Sequence, residues 1–448
     1  MDSPNIFQRK IYQEMLRWKN ERNGETALLI EGARRIGKST IVEEFAKNEY
    51  DSYLLIDFSK TPQEINDLFN DLYDLDYIFL RLQLQYSINL KERKSVIIFD
   101  EVQNMPKARQ AIKHLVKDHR YDYIETGSLI SIRKNVQDII IPSEETRIAM
   151  HPMDFEEFRW AMGDHATMAL LHQLLKERKP LGDAVHRKLM RDFRLYMLVG
   201  GMPQAVDKYI KTNNLSAVDT VKRDIIALYE EDLRKIDSTG KATSMFDSIP
   251  SQLSKNTSRY TISSVIPGEK KDRIGDIIQM LEESRVANIA YNCDDPNVGL
   301  ALTKDTQRYK MYVADTGLFV TLAFKSGKFT DNAIYEKLLS DKLEANLGYI
   351  YENIVAQMLK AADRELYYHV IKKPDGKGYY EVDFIISEGS KVCPIEVKSS
   401  GYKTHTSLDK FSEKYSARIG HKYLVYTKDL GKDHDVLCLP IYMVPLLP

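Results

Sequence analysis

The run TALLIEGARRIGKSTIVEEFAK, Thr26–Lys47, reads as strand, loop and helix. Ala27 to Ile30 is an unbroken apolar run of the kind that a strand buried on both faces needs, and Ile41, Phe45 and Ala46 give the following helix one apolar face. Between them Gly32, Gly37, Lys38 and Ser39 satisfy G-x-x-x-x-G-K-[ST] without a mismatch. Glycines let backbone N–H groups wrap phosphates, and the helix N-terminus adds partial positive charge. Lys38 can reach the β/γ-phosphates, and the Ser39 hydroxyl can join a magnesium shell. Gly32, Ala33, Arg34, Arg35, Ile36, Gly37, Lys38, Ser39 and Thr40 are therefore the candidate nucleotide-binding segment, for ATP with Mg²⁺.

A second piece stands further along, SVIIFDE, Ser95–Glu101. An apolar strand ending in Asp100 puts that carboxylate at the sheet's C-terminal edge, where magnesium would sit. Glu101 is then placed to orient or deprotonate the attacking water. YLLIDFS (Tyr53–Ser59) and YDYIETGS (Tyr121–Ser128) supply two more strands, and Thr126 and Ser128 are candidate γ-phosphate sensors.

In this order the first 153 residues resemble the AAA+ branch of P-loop ATPases, in which an extra strand stands between the two motif strands. That resemblance implies an arginine finger. Arg147 is a candidate; Arg133 or a partner's arginine would serve as well.

Residues 154–240 read as amphipathic helices broken at LVGGMPQAV, where Gly200 and Gly201 end one helix and Pro203 opens the next. They suit a helical lid. Residues 241–330 read as helix, turn, helix and two strands, in the manner of a winged helix. As a DNA reader it would place the helix beginning near Arg273 in a major groove, with Lys270 and Lys271 on phosphates. As a packing module it would do neither. Its 11 basic and 10 acidic residues between Lys241 and Lys325 do not favour DNA.

Residues 335–448 close the chain. EVDFIISEGSKVCPIEVKSS, Glu381–Ser400, alternates as two strands around a short polar turn. Glu381 and Asp383 share a face, as do Glu396 and Lys398. A metal-dependent nuclease needs such a set, and a solvated hairpin with an ion pair also shows it. The surrounding order is helix (LGYIYENIVAQMLKAA), three strands, helix and strand. It resembles the core of the PD-(D/E)XK nuclease superfamily, although Val382 stands where the naming proline would be. The resemblance implies that Asp383 and Glu396 hold magnesium, that Lys398 steadies or activates the attacking water, and that Glu352 completes the metal shell. With GGMP, YENIVAQ and EVDF…IEVKSS together, the whole chain resembles an uncharacterised prokaryotic family. That family joins a AAA+-like P-loop ATPase to a C-terminal domain of unknown function with the nuclease-like fold.

The bulk numbers fit a multidomain α/β protein of 448 residues, 43% hydrophobic and 29% charged. A net charge of −1 excludes a global attraction to nucleic acid or anionic membrane. Cys293, Cys393 and Cys438 are too scattered for a disulfide framework, and no run reaches membrane-spanning length. The expectation is a cytoplasmic ATPase acting as a nucleotide-driven switch on a domain that binds and cleaves DNA or RNA. Its alternative is an ATP-dependent scaffold or signalling protein whose nuclease fold is inert and recruits a protein partner. A homo-oligomer is compatible with either.

Overall fold

Apolar runs without alternation become the inner strands of a parallel sheet. The computed structural model describes the chain apart from residues 1–4, 71, 128–141, 256, 269–270, 326, 328–331, 341–347 and 401–403. It falls into two compact units, Met1–His151 and Pro152–Pro448. In the first, β1 (Ala27–Glu31), β2 (Ser52–Asp57), β3 (Ser95–Asp100), β4 (Asp122–Gly127) and β5 (Glu145–Ala149) are all parallel, in the order β2-β3-β4-β1-β5. The strand between the two motif strands is β4, as expected. Every residue of β1, β3 and β4 is buried, which a parallel sheet covered on both faces requires. The helix Pro106–Asp118 contributes Ala108, Ala111, Ile112 and Leu115 to the core that also holds Leu29, Ile97 and Phe99.

The second unit begins with helices Phe155–Ala161, Thr167–Glu177, Asp183–Val199, Pro203–Thr212 and Leu215–Ile236. Its sheet has eight strands: β6 (Ala287–Cys293), β7 (Lys304–Val313), β8 (Leu366–Lys372), β9 (Tyr379–Glu388), β10 (Lys391–Val397), β11 (Lys422–Tyr426), β12 (Gly431–Asp433) and β13 (Val436–Pro440). Their order is β12-β13-β11-β10-β9-β8-β6-β7. From helix Gly348–Ala361 the succession is helix, β8, β9, β10, helix Thr406–Tyr415, β11, the order read from the sequence.

The break expected at residues 330–335 does not separate two sheets. β6 pairs with β7 on one side and, in parallel, with β8 on the other. All seven β6 residues are buried, so it cannot stand as a solvent-facing wing. The strand pair assigned to a winged helix is the far end of the C-terminal sheet. Of the residues expected to meet DNA, Lys270 lies outside the described residues, as do the side chains of Lys271 and Arg273.

The GGMP break is built as expected, with Val199 closing one helix and Pro203 opening the next. Gly200 has φ +83°, and a Cβ on it would fall 2.4 Å from Asp315 Oδ1. A Cβ on Gly201 would fall 2.1 Å from the Met153 carbonyl. The close approach lets Asp315 accept from Gly201 N–H at 2.6 Å and cap helix Thr316–Ala323 through Leu318 N–H at 2.9 Å. Lys222, fully buried, donates to the carbonyls of Leu198 (2.6 Å) and Gly317 (3.2 Å). Gln357 and Asn353 tie the same turn: Gln357 accepts from Thr316 N–H (2.7 Å) and donates to Tyr196, while Asn353 bonds Val313 N–H and C=O. The segments GGMP and YENIVAQ thus meet in one buried polar knot.

Candidate functional site

In the first unit, Gly37 at φ 94° turns the chain into helix Lys38–Glu49. Gly32 lies where a side chain would collide, its Cβ 2.4 Å from Ile36 Cδ1 and 2.6 Å from the Met150 carbonyl. Lys38 is buried and donates to the carbonyls of Gly32 (3.0 Å) and Ala33 (2.9 Å). Burial lowers its pKa to about 8, against the opposing pull of Glu101 and Asp100. Arg34, Arg35 and Thr40 are exposed around the loop, and Ile36 is buried.

Asp100 gathers the second half of the site. Its Oδ1 accepts from the Ser39 hydroxyl at 2.7 Å and from Thr126 Oγ1. Glu101 follows in the left-handed region, φ 55°, a turn that takes its side chain out of the strand's alternation. Its N–H points to Thr126 Oγ1 at 3.4 Å, and Gln103 Nε2 donates to its carboxylate. Ser39, Asp100, Glu101 and Thr126 therefore lie in one connected network, with Lys38 near enough to feel the charges of Glu101 and Asp100. Ser128 and Arg133 lie outside the described residues.

Arg147 sits on β5, a strand that the sequence reading did not anticipate. It pairs with Glu145 at 3.1 Å, and Glu145 in turn takes a bidentate grip from buried Arg109, both bonds 2.9 Å. Sequence reasoning also missed Arg9, whose guanidinium donates to the Ile36 carbonyl at 2.8 Å and the His151 carbonyl at 2.6 Å. It braces the phosphate loop from outside the motif.

In the second unit Glu352 and Glu381 meet on one lysine. Lys310, from β7, donates to Glu352 Oε2 at 3.2 Å and to Glu381 Oε1, with Tyr312 also on Glu352 at 3.4 Å. Burial works against the charged Lys310, but Glu352 and Glu381 outweigh it and hold the ammonium well above its ordinary range. Asp383 accepts from Val397 N–H at 2.7 Å. Burial first, then Glu352, push its pKa well above the usual carboxylate range, with Lys310 opposing. Lys398 meets Glu396 Oε1 at 2.6 Å, while Glu396 Oε2 is buried without a hydrogen-bond partner. Among the described residues, Glu352, Asp383 and Glu396 do not bring one oxygen each within 4.8 Å of one another. Lys310 and Glu381 were not among the residues singled out as ligands or catalysts, and Lys310 comes from the strand pair taken for a wing.

Residues 24–159 match the family model of an AAA domain. Residues 190–328 match a domain of unknown function, DUF8612, and residues 347–443 another, DUF4143. A search of curated proteins found no match. Among solved structures, the chain is similar to a Walker-type ATPase of Pyrococcus abyssi, at 15% identity over 71% of this chain and 98% of that one, TM-score 0.42. It is also similar to the RuvB Holliday junction branch migration motor of Thermotoga maritima, at 10% identity over 63% of this chain and 89% of that one, TM-score 0.28. The family model identifies residues 24–159 as an AAA-type P-loop ATPase domain. No helix among the described residues is long and apolar enough to cross a membrane.

Proposed function

We propose that the chain is an ATP-hydrolysing switch whose C-terminal domain, nuclease-like in its order of elements, binds nucleic acid and cleaves it with Mg²⁺. The observation that carries the first half is the shared hydrogen bonding of Ser39 and Thr126 on Asp100, next to a buried Lys38. Lys38 would turn from its own loop carbonyls to the β/γ-phosphates, Ser39 and Asp100 would hold Mg²⁺, and Glu101 would take the proton of the attacking water. The ion would supply charge neutralisation on the phosphates.

The acid cluster supports the second half by charge. Once an ion displaces the proton that burial and Glu352 favour on Asp383, Glu352, Glu381, Asp383 and Glu396 carry four negative charges against two positive on Lys310 and Lys398, an excess of two. A divalent cation matches that excess, and Glu396 Oε2 is a buried oxygen with no partner. Magnesium commonly takes only one or two carboxylates and keeps its waters. Asp383 and Glu396 would hold it, Glu352 would anchor Lys310, and Lys398 would steady the water. A bound ion there would lower the pKa of its water and stabilise negative charge on the phosphorane oxygens.

One observation favours the alternative, a scaffold with an inert fold: Lys310 already supplies an ammonium between Glu352 and Glu381. Incubating the chain with plasmid and single-stranded DNA or RNA, Mg²⁺ or Mn²⁺, and ATP separates the two. Cleavage lost in Asp383→Asn supports the nuclease reading, and intact substrate under every condition supports the scaffold.

A further inference from the structure

The β9–β10 hairpin carries a second constellation near its turn. Glu388 and Cys393 lie on the face opposite Asp383 and Glu396, since Cys393 pairs across from Ile386 and Glu388 follows Ile386 by two. Five residues of strand separate Glu388 from Asp383, roughly 17 Å. The third member, His421, immediately precedes β11. That strand runs beside β10, and Gly420 N–H bonds the Val392 carbonyl at 3.0 Å. One ligand atom from each of Glu388, Cys393 and His421 lies within 4.8 Å of the other two.

We propose that Glu388, Cys393 and His421 bind a borderline-soft divalent cation of the zinc class. One sulfur, one imidazole nitrogen and one carboxylate oxygen are the donor types such an ion takes in sites with three protein ligands. The spacing suits it. Ligand atoms about 2.0–2.1 Å from zinc stand roughly 3.3 Å apart in a tetrahedron, and His421 Nδ1 lies 3.0 Å from Glu388 Oε2.

The outer groups are those that a ligand set needs. Tyr423 donates to the other Glu388 oxygen at 2.7 Å, fixing the carboxylate. The His421 backbone N–H donates to Cys393 Sγ at 3.2 Å and favours a thiolate, while burial and then Glu388 push the thiol up to about 12, so an ion must displace its proton. Gly420 keeps the space beside the sulfur clear, since a Cβ there would fall 3.1 Å from Sγ. Glu388, Gly420 and His421 line a surface cavity of about 510 Å³ with Lys391. Through that opening water or an incoming ligand would reach an ion held beside Glu388 and His421. On binding, the S–H bond breaks, the metal–sulfur bond forms, and the proton leaves to solvent.

The test uses the full chain stripped with chelator, then titrated with Zn²⁺ by calorimetry and with Co²⁺ by absorption. One thiolate-bound ion per chain is expected, marked by a thiolate-to-cobalt charge-transfer band. Cys393→Ser should remove that band, and exposed His421→Ala should weaken Zn²⁺ binding by about tenfold or more. Asp383→Asn should leave the band in place, separating this site from the acid cluster. If Cys393→Ser does not fold, Glu388→Gln and His421→Ala carry the test, because both must weaken binding. A missing band, a band that survives Cys393→Ser, or unchanged affinity in His421→Ala overturns the proposal.

Discussion

Lys38 donates to two carbonyls of its own loop, so removing its ammonium takes away the buried cation of the phosphate loop, Arg34 and Arg35 being exposed, and little of the core. Lys38→Ala should abolish binding of a fluorescent ATP analogue while circular dichroism stays unchanged. Glu101→Gln should keep the nucleotide and slow hydrolysis by about a hundredfold or more, as loss of a general base does. Parent-like turnover in both variants would show that the chemistry lies elsewhere. At the acid cluster, Mg²⁺ or Mn²⁺ should raise the thermal midpoint of the nucleotide-free chain by mass action. Asp383→Asn should remove that part of the gain which Lys38→Ala leaves in place; a gain equal in all three proteins would mean the ion binds elsewhere. The phosphate-loop motif was legible in the sequence because Gly32 to Thr40 are contiguous and their spacing follows from phosphate geometry. Lys310 was not legible: it reaches Glu381 from 71 residues away, and no local pattern marks a lysine as a counter-ion. Arg9 was hidden for the same reason, since its target is a backbone carbonyl.

The knot around Asp315 fixes how its elements meet, and glycine is required where they approach. Gly201→Ala would drive a Cβ into the Met153 carbonyl, so it should destabilise the chain by about 1–3 kcal/mol, read as a lower midpoint in a denaturant titration. A midpoint equal to the parent would mean that the turn relaxes freely. Lys222 gives the same knot a pH signature. Burial lowers its pKa to about 8 from an ordinary 10.5. Between those values the unfolded chain holds a proton that the folded unit has released, so stability should rise with pH across that window and be flat below it. Lys222→Met should lose that rise, and a parallel slope in both proteins would assign it to other groups. At this scale the sequence pattern recovered β1 to β4 and the helix–strand order from Gly348 to Tyr426, because long apolar runs and alternation are strong signals. It missed β5, whose five residues ETRIA place Glu145 and Arg147 among the strand positions. The buried Glu145 carboxylate is paired by Arg109, which arrives from helix Pro106–Asp118. It also split one sheet in two, because the pairing of β6 with β8 joins segments with 72 residues between them and leaves no trace in either.

A switch needs more than two sites in one chain; it needs a free energy of coupling between them. Coupling is reciprocal in equilibrium binding, so ATP must change the affinity for nucleic acid by the same factor as nucleic acid changes the affinity for ATP. Glu101→Gln allows the measurement, since it should hold ATP without consuming it. With Mg²⁺ present throughout, the anisotropy of labelled single- and double-stranded DNA and RNA should report affinities differing by about five- to hundredfold with and without ATP. The nucleotide analogue, titrated with and without the same nucleic acid, must show an equal ratio. Charge adds a further expectation. Residues 341–448 hold 15 basic and 15 acidic side chains, so nucleic acid would be gripped through few phosphates. The affinity should then fall only shallowly with salt, because few counterions are released. A steep slope would point to a basic surface elsewhere in the chain. No binding under either nucleotide condition would remove nucleic acid from the reading and leave an ATP-driven scaffold, in which Lys310 is the permanent counter-ion of Glu352 and Glu381.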